Sequence, residues 1–370
     1  MLKESETKKR KLSDETKEET RVFSKRHGLE LKLKLKPEKC IGLCRRLKLS
    51  KEQKYLYRQN PHLRQVFLEE KKKLVFYCGG DKTFSTTENR LLLPTSGRTP
   101  YNSSKTSFQT VKHYGQRKLL MSEIEFLTNV IATAAHSADS QNLLVIYAGA
   151  APGSHTNYLS LMFPQLRFIL FDHSEFLAEE SDHIKIRREM FTNELAEEYS
   201  TMKGNLLFIC DIRTFSSYAE LEDDVKKDMT SQMQWIKIIK PRASLIKFRL
   251  PYTAGQLYFQ ARSTECRLLV TQDDISKPLI EYDNTDYDSA MFYFSTCTRT
   301  MYYEHDYNKG EHIGLDHCYD CRTELFILEQ YVRKIKQVKE EDEVKKQVLK
   351  LSSDIWDKIT SNKQVPSRKR

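Results

Sequence analysis

Leu143-Leu-Val-Ile-Tyr-Ala-Gly-Ala-Ala-Pro-Gly153 decides how the rest of the chain is read. An apolar run ends at Tyr147, and Gly149 and Gly153 then bracket a small-residue turn before a polar, helix-compatible segment from Ser154. The pattern is that of a buried strand feeding a tight loop, where glycines without Cβ let a ligand come close. Downstream, Arg167-Phe-Ile-Leu-Phe171 reads as a second buried strand closed by Asp172. An acidic residue there, about 20 residues past the turn, accepts both hydroxyls of a ribose. The turn lacks G-x-G-x-x-G spacing, which speaks against a dinucleotide. It suits a nucleoside cofactor without pyrophosphate, such as S-adenosylmethionine. The competing reading is a buried β-α-β turn with no ligand.

Outward from this stretch, strands are expected at 143–148, 167–172, 184–188, 205–210, 242–248, 256–260 and 265–271. Helices are expected near 154–163, 175–180, 193–203 and 217–239, and from Gly115 through Leu127 before the first strand. Such alternation predicts an α/β fold: a Rossmann-like, mostly parallel sheet with helices on both faces. Short turns between the last strands predict an antiparallel final pair. Residues 1–36 are rich in Lys, Glu, Ser and Thr and read as a disordered tail. Residues 37–99 form a basic N-terminal extension, helical over 40–80 and then loop-like over 85–112. A catalytic domain spans 100–335, with a helix from about 322 to 340, and 336–370 reads as a charged tail ending in Ser367-Arg-Lys-Arg370.

The chain has 370 residues, 39% of them hydrophobic, enough for a sizeable core, and a formal net charge of +10 that favours a polyanionic partner. The excess is partly concentrated at the ends. The charged N-terminus does not read as a signal peptide, and no apolar run approaches the ~20 residues of a membrane span, so no membrane role is expected. Eight scattered cysteines read as reduced thiols of a cytoplasmic or nuclear protein. Lys8-Lys-Arg-Lys11 reads as solvated charge in a flexible tail, with nuclear import or a nucleic-acid arm as the alternative. His312, His317, Cys318 and Cys321 include one Cys-x-x-Cys, and without a second pair no metal is expected there.

Ligands of doubly wound sheets sit at the carboxyl ends of the strands. Asp211 follows Asn205-Leu-Leu-Phe-Ile-Cys210, and Lys247 follows Ala243-Ser-Leu-Ile246. Glu265 opens a strand of reversed direction, which brings it to the same edge, and Lys118 on the preceding helix can reach that edge. An ion-pair network on the sheet rim accounts for any one of these residues. A lysine closing an apolar strand is harder to dismiss, because a buried ammonium is costly.

Gly115-Gln-Arg-Lys-Leu-Leu120, Tyr147-Ala-Gly-Ala-Ala-Pro-Gly-Ser-His155, Ile209-Cys-Asp-Ile-Arg213, Ser244-Leu-Ile-Lys-Phe-Arg249 and Ser263-Thr-Glu-Cys-Arg-Leu-Leu269 occur in this order. Together they resemble the poxvirus-type cap-specific mRNA (nucleoside-2′-O-)-methyltransferases, which are also the small, regulatory subunits of poly(A) polymerase. The resemblance covers roughly residues 100–335. It implies a catalytic tetrad at Lys118, Asp211, Lys247 and Glu265, with Lys247 as base and no metal. It implies S-adenosyl-L-methionine held by Gln116, Tyr147, Gly149, Gly153 and Asp172, with Phe191 lining the adenine pocket. It further implies a methylated cap guanine stacked between Tyr252 and Tyr101 and read by Asp288. A second carboxylate of the family's cap pocket is missing, since Ala254 stands there.

The physical logic is that a ribose 2′-hydroxyl must lose its proton to attack, whereas a sulfonium methyl is already electrophilic. Positioning and a base therefore suffice. Capped mRNA is the implied substrate, and a poly(A) polymerase catalytic subunit is the implied heterodimer partner. A large DNA virus and the host cytoplasm or virion are the implied setting. The alternatives are a non-catalytic, RNA-binding stimulatory subunit of the polymerase, or a ribose methyltransferase of ribosomal or transfer RNA.

Overall fold

The computed structural model describes residues 44–46, 75–77, 91–100, 115–134, 143–202, 205–217, 219–248, 256–259, 266–277, 283–294 and 319–361. All of them lie in the unit Cys44–Arg370. Strands β1 (Cys44–Arg46) and β2 (Val75–Tyr77) pair antiparallel, Cys44 opposite Tyr77. The helix expected across 40–80 is therefore interrupted at both places. Val-Phe-Tyr is a β-branched and aromatic run that favours a strand.

The main body begins with helix α1 (Gly115–Ala134). Strand β3 (Leu144–Ala148), helix α2 (Thr156–Met162), β4 (Arg167–Phe171) and β5 (Ile184–Arg187) follow. Helix α3 (Asn193–Ser200), β6 (Leu206–Cys210), α4 (Leu221–Ile239), β7 (Ala243–Phe248), β8 (Gln256–Phe259) and β9 (Cys266–Thr271) complete the sheet. Helices α5 (Gln272–Ile275), α6 (Asn284–Tyr293), α7 (Tyr319–Lys334) and α8 (Glu341–Ser361) close the described chain. Among the described residues no helix is long and apolar enough to cross a membrane.

The sheet has seven strands in the order β5-β4-β3-β6-β7-β9-β8. The first five are parallel, and β9 runs antiparallel to both of its neighbours. Strands β3 and β6 are buried along their whole length, as a sheet covered on both faces requires. Val145, Tyr147, Leu207, Ile209 and Leu245 pack on one face with α1, α2, α7 and α8. Ile146, Ala148, Phe208, Cys210 and Ile246 pack on the other with α3, α4 and α6. The chain leaves β3 toward β4 and later returns to β6 on its opposite flank. A crevice therefore opens at the carboxyl ends of β3 and β6, where such sheets hold ligands.

Two expectations are corrected here. No helix forms at 175–180, because the N–H groups of Leu177 and Ala178 donate to the Pro152 carbonyl at 2.7 and 3.3 Å and pin the segment to the glycine loop. Residues 341–361 are helix α8 rather than tail, with Val344, Val348, Leu351 and Ile355 buried in the core. Beneath them the buried Arg117 of α1 pairs with the buried Glu324 of α7 at 2.5 Å. Ser352 of α8 donates to the same carboxylate at 2.7 Å, which ties the three helices together.

Candidate active site

The glycine loop lies over the ends of β4 and β6. The N–H groups of Gly149 and Ala150 donate to the Phe171 carbonyl at 2.9 and 3.2 Å, and the Asp211 N–H donates to the Ala148 carbonyl at 2.9 Å. Gly149 and Gly153 have φ of +76° and +62°, which side-chain-bearing residues rarely adopt. A Cβ at Gly149 would stand 2.7 Å from Ile212 N and 2.9 Å from the Asp211 carbonyl carbon. The loop can therefore touch the end of β6 only as glycine.

Asp172 follows β4 and accepts hydrogen bonds from Ala151 N–H at 3.2 Å and Ser174 N–H at 2.9 Å. His173 Nδ1 lies 3.5 Å from Asp172 Oδ1, and the two backbone donors take two of the carboxylate's roughly four acceptor positions. The expected ribose acceptor is held against the loop it was expected to serve.

Asp211, one residue past β6, stands beside two cations. Lys247 Nζ lies 3.2 Å from Asp211 Oδ1, and Arg267 Nη1 lies 2.7 Å from the same oxygen. The antiparallel register of β7 and β9 puts Lys247 directly opposite Arg267. Burial is the largest influence on the Asp211 carboxyl and would raise its pKa. The charges of Arg267 and then Lys247 outweigh it and hold the pKa below the ordinary value. Arg267 was not foreseen from the sequence. The signal was its place opposite Lys247, which only strand pairing reveals. Lys118 is half-buried on α1, the helix that packs against β7.

The segment after Asp211 is held rigidly. Thr214 donates through its N–H and its hydroxyl to Asp228 at 2.8 and 2.7 Å. Ser216 does the same to Asp224 at 2.6 and 3.1 Å. Both aspartates are buried on α4, one turn apart.

The side chains of two further expected cofactor residues, Tyr147 and Phe191, are packed in the core. The Tyr147 ring is fully buried, and its hydroxyl donates to Glu123 Oε1 at 2.6 Å. Burial first, and then the Glu123 charge, raises its pKa well above the ordinary value, so the phenol stays a donor. Its backbone leads into the loop, but its side chain does not line the crevice. Phe191 is a core aromatic, packed edge-on against Phe171 and Trp235 with centroids 5.0 and 5.1 Å apart. It lies in the core on the α3 and α4 face of the sheet. Gln116, by contrast, meets the loop directly. Its Oε1 accepts from Ser154 Oγ at 3.3 Å and lies 2.7 Å from His155 Nδ1.

Asp288 is exposed on α6. Arg98 grips Asp286 on the same helix at 2.8 and 2.9 Å, and Thr99 N–H donates to the Ser289 carbonyl at 3.1 Å. Residues 98–99 are thus sewn to the helix that carries Asp288. Tyr101, Tyr252, Ala254, Glu265, His312, His317 and Cys318 lie outside the described residues, as does the side chain of Cys321. Among the described residues no group of three His, Cys, Asp or Glu side chains is placed to hold a metal.

The crevice residues fit an adenosyl cofactor. They offer a loop whose two glycines bear no Cβ, a positioned carboxylate, and the Gln116 amide at the loop's far end.

The family model described as Poly A polymerase regulatory subunit matches residues 93–361. The chain is 29% identical over 233 residues to the cap-specific mRNA (nucleoside-2′-O-)-methyltransferase of fowlpox virus (strain NVSL), a match covering 55% of this chain and 74% of that protein. It is 24% identical over 229 residues to the protein of the same name from myxoma virus (strain Lausanne), covering 54% of this chain and 66% of that one.

Proposed function

The chain belongs to the Poly A polymerase regulatory subunit family, and from that premise we propose that it methylates the ribose 2′-hydroxyl at the capped 5′ end of mRNA. We further propose that it serves a poly(A) polymerase catalytic subunit as regulatory partner. The observation that carries the catalytic reading is the pairing of Lys247 with Asp211 at the crevice beside Gly149, 3.2 Å apart. The relatives' names supply the substrate class.

S-adenosylmethionine, when bound, supplies a methyl group on a sulfonium, already a good electrophile. Gln116, Gly149, Gly153 and Asp172 would hold it. Lys247 Nζ, once it has given up its own proton to solvent, takes the proton of the 2′-hydroxyl, and Asp211 Oδ1 fixes where Nζ stands. Arg267 shares that oxygen, and of the two cations only the lysine can give up a proton. Charged groups held in place beside the buried Arg267 need little reorganisation, which makes positioning effective. Lys118 and Glu265 complete the set as orienting groups. Tyr252, Tyr101 and Asp288 would receive the cap guanine, where stacking of a cationic base on aromatic faces favours the methylated form.

The test is to incubate the protein with methyl-labelled cofactor and short RNAs bearing a methylated cap or a bare triphosphate. Label on the first transcribed ribose of the capped RNA alone is expected. Label independent of the cap would point instead to ribosomal or transfer RNA. The family description favours a second, compatible reading, a stimulatory role without chemistry. No label on either RNA, together with stimulated poly(A) synthesis, would leave that role alone.

A further inference from the structure

His155 has no role in the chemistry above, yet it is completely enclosed beside the glycine loop. Its ring stands between two acceptors. Nδ1 is 2.7 Å from Gln116 Oε1, and Nε2 is 3.1 Å from Glu123 Oε1 and 2.9 Å from Oε2. Both ring nitrogens thus stand at hydrogen-bond distance from a side-chain oxygen, and the buried Glu123 braces the ring on the side away from Gln116. Tyr147 steadies that carboxylate from the sheet at 2.6 Å. Ser154 Oγ adds a second donor to Gln116 Oε1 at 3.3 Å.

The consequence falls on Gln116. Two donors from the end of the glycine loop hold the oxygen of its amide, whereas the amide nitrogen has no hydrogen-bond partner among the described residues. Gln116 is only half-buried, so that nitrogen is not sealed in the core. In a planar amide the nitrogen lies on the other branch of the carbon from the held oxygen, so its hydrogens remain available to a ligand.

We propose that His155 is a positioning residue: braced by Glu123, it locks the Gln116 amide so that its N–H donors face the crevice and meet an acceptor group of the adenosyl cofactor. The proposal rests on the cofactor reading given above. It explains why a buried His–Glu pair, which seldom adds net stability, sits at this spot, since such a pair fixes geometry instead. It also makes the chain Tyr147–Glu123–His155–Gln116 a physical link from strand β3, through α1 and the loop, to the ligand.

Calorimetric titration with S-adenosylhomocysteine tests it without turnover. His155→Ala and Gln116→Ala should each weaken binding about ten- to a hundredfold, the worth of one hydrogen bond to a polar or charged ligand group. The double variant should bind no more weakly than Gln116→Ala alone, because the two act through one contact. In turnover, His155→Ala should raise the cofactor KM while kcat stays within about threefold. His155→Asn, which can place an N–H where Nδ1 stood, should retain most of the affinity, and it serves if His155→Ala does not fold. Wild-type affinity in His155→Ala, losses that multiply in the double variant, or an Asn variant as weak as Gln116→Ala would each overturn the proposal. Wild-type protein that fails to bind S-adenosylhomocysteine would instead overturn the cofactor reading, and this inference with it.

Discussion

Lys247 and Arg267 face one another across the pairing of β7 with β9, and both reach one oxygen of Asp211. Like charges directly opposite on neighbouring strands repel. The arrangement persists because a single carboxylate sits between them. Arginine keeps its proton under all ordinary conditions, so the cluster has one fixed cation, one fixed anion and one exchangeable proton.

The pH dependence of stability follows from that carboxylate. Asp211 has a lowered pKa in the folded protein, despite burial, because Arg267 and Lys247 favour its charge. A lowered folded pKa gives stability that is fully present above the unfolded value of ~3.9 and is lost as pH falls through the folded one. Urea unfolding of the wild type should therefore weaken more steeply than that of Asp211→Asn as pH drops below about 4. Near neutrality the variant should be less stable by about 2–4 kcal/mol, since the two cations lose their counter-charge. A constant difference between the two proteins across this pH range would show that Asp211 is not so held.

Gly149→Ala should be the more damaging of the two glycine substitutions. Its Cβ would meet backbone atoms of residues 211–212 at 2.7–2.9 Å, whereas at Gly153 the nearest contacts are 3.0–3.2 Å. With the strained φ included, a stability loss of about 1–3 kcal/mol is expected. Methyl transfer should fall further than Gly153→Ala makes it fall, because Asp211 is displaced. Thermal unfolding and turnover of both variants check this order.

Asp228→Ala removes both acceptors of Thr214 and should free the segment beyond Asp211. The expected loss is about 2–4 kcal/mol, for two hydrogen bonds to a buried charge. Amide hydrogen exchange offers the direct readout: the Thr214 N–H should exchange much faster in the variant, while the β3 amides exchange as before.

Val348→Asp tests whether α8 is part of the core. A carboxylate among Val344, Leu351 and Ile355 would be buried without a partner, so destabilisation above about 3 kcal/mol is expected in urea unfolding. A charged tail would tolerate the change.

The sheet was legible because its strands are unbroken apolar runs, and because Gly149 and Gly153 carry a backbone demand that few other residues meet. Lys247 and Asp211 were legible as charges that end such runs. Arg267 was not, because which residue of β9 faces Lys247 depends on register, a long-range property. The direction of the Tyr147 ring is not given by its place in the motif. Strand alternation sends it to the α1 face, where Glu123 takes its hydroxyl. The packing of Phe191 was likewise not legible, since a phenylalanine near a strand end packs wherever the aromatic cluster lies. Helix α8 was hidden by its charges: Glu341, Asp342 and Glu343 open it, while its buried residues recur only every third or fourth position.

The central claim is that the Lys247 amine removes the proton that starts methyl transfer. Lys247→Ala should lose transfer to capped RNA by at least about a thousandfold, in the range of a lost general base with its positioning. Its affinity for S-adenosylhomocysteine should stay within a few-fold of wild type. Transfer at near wild-type rate in that variant would contradict the account.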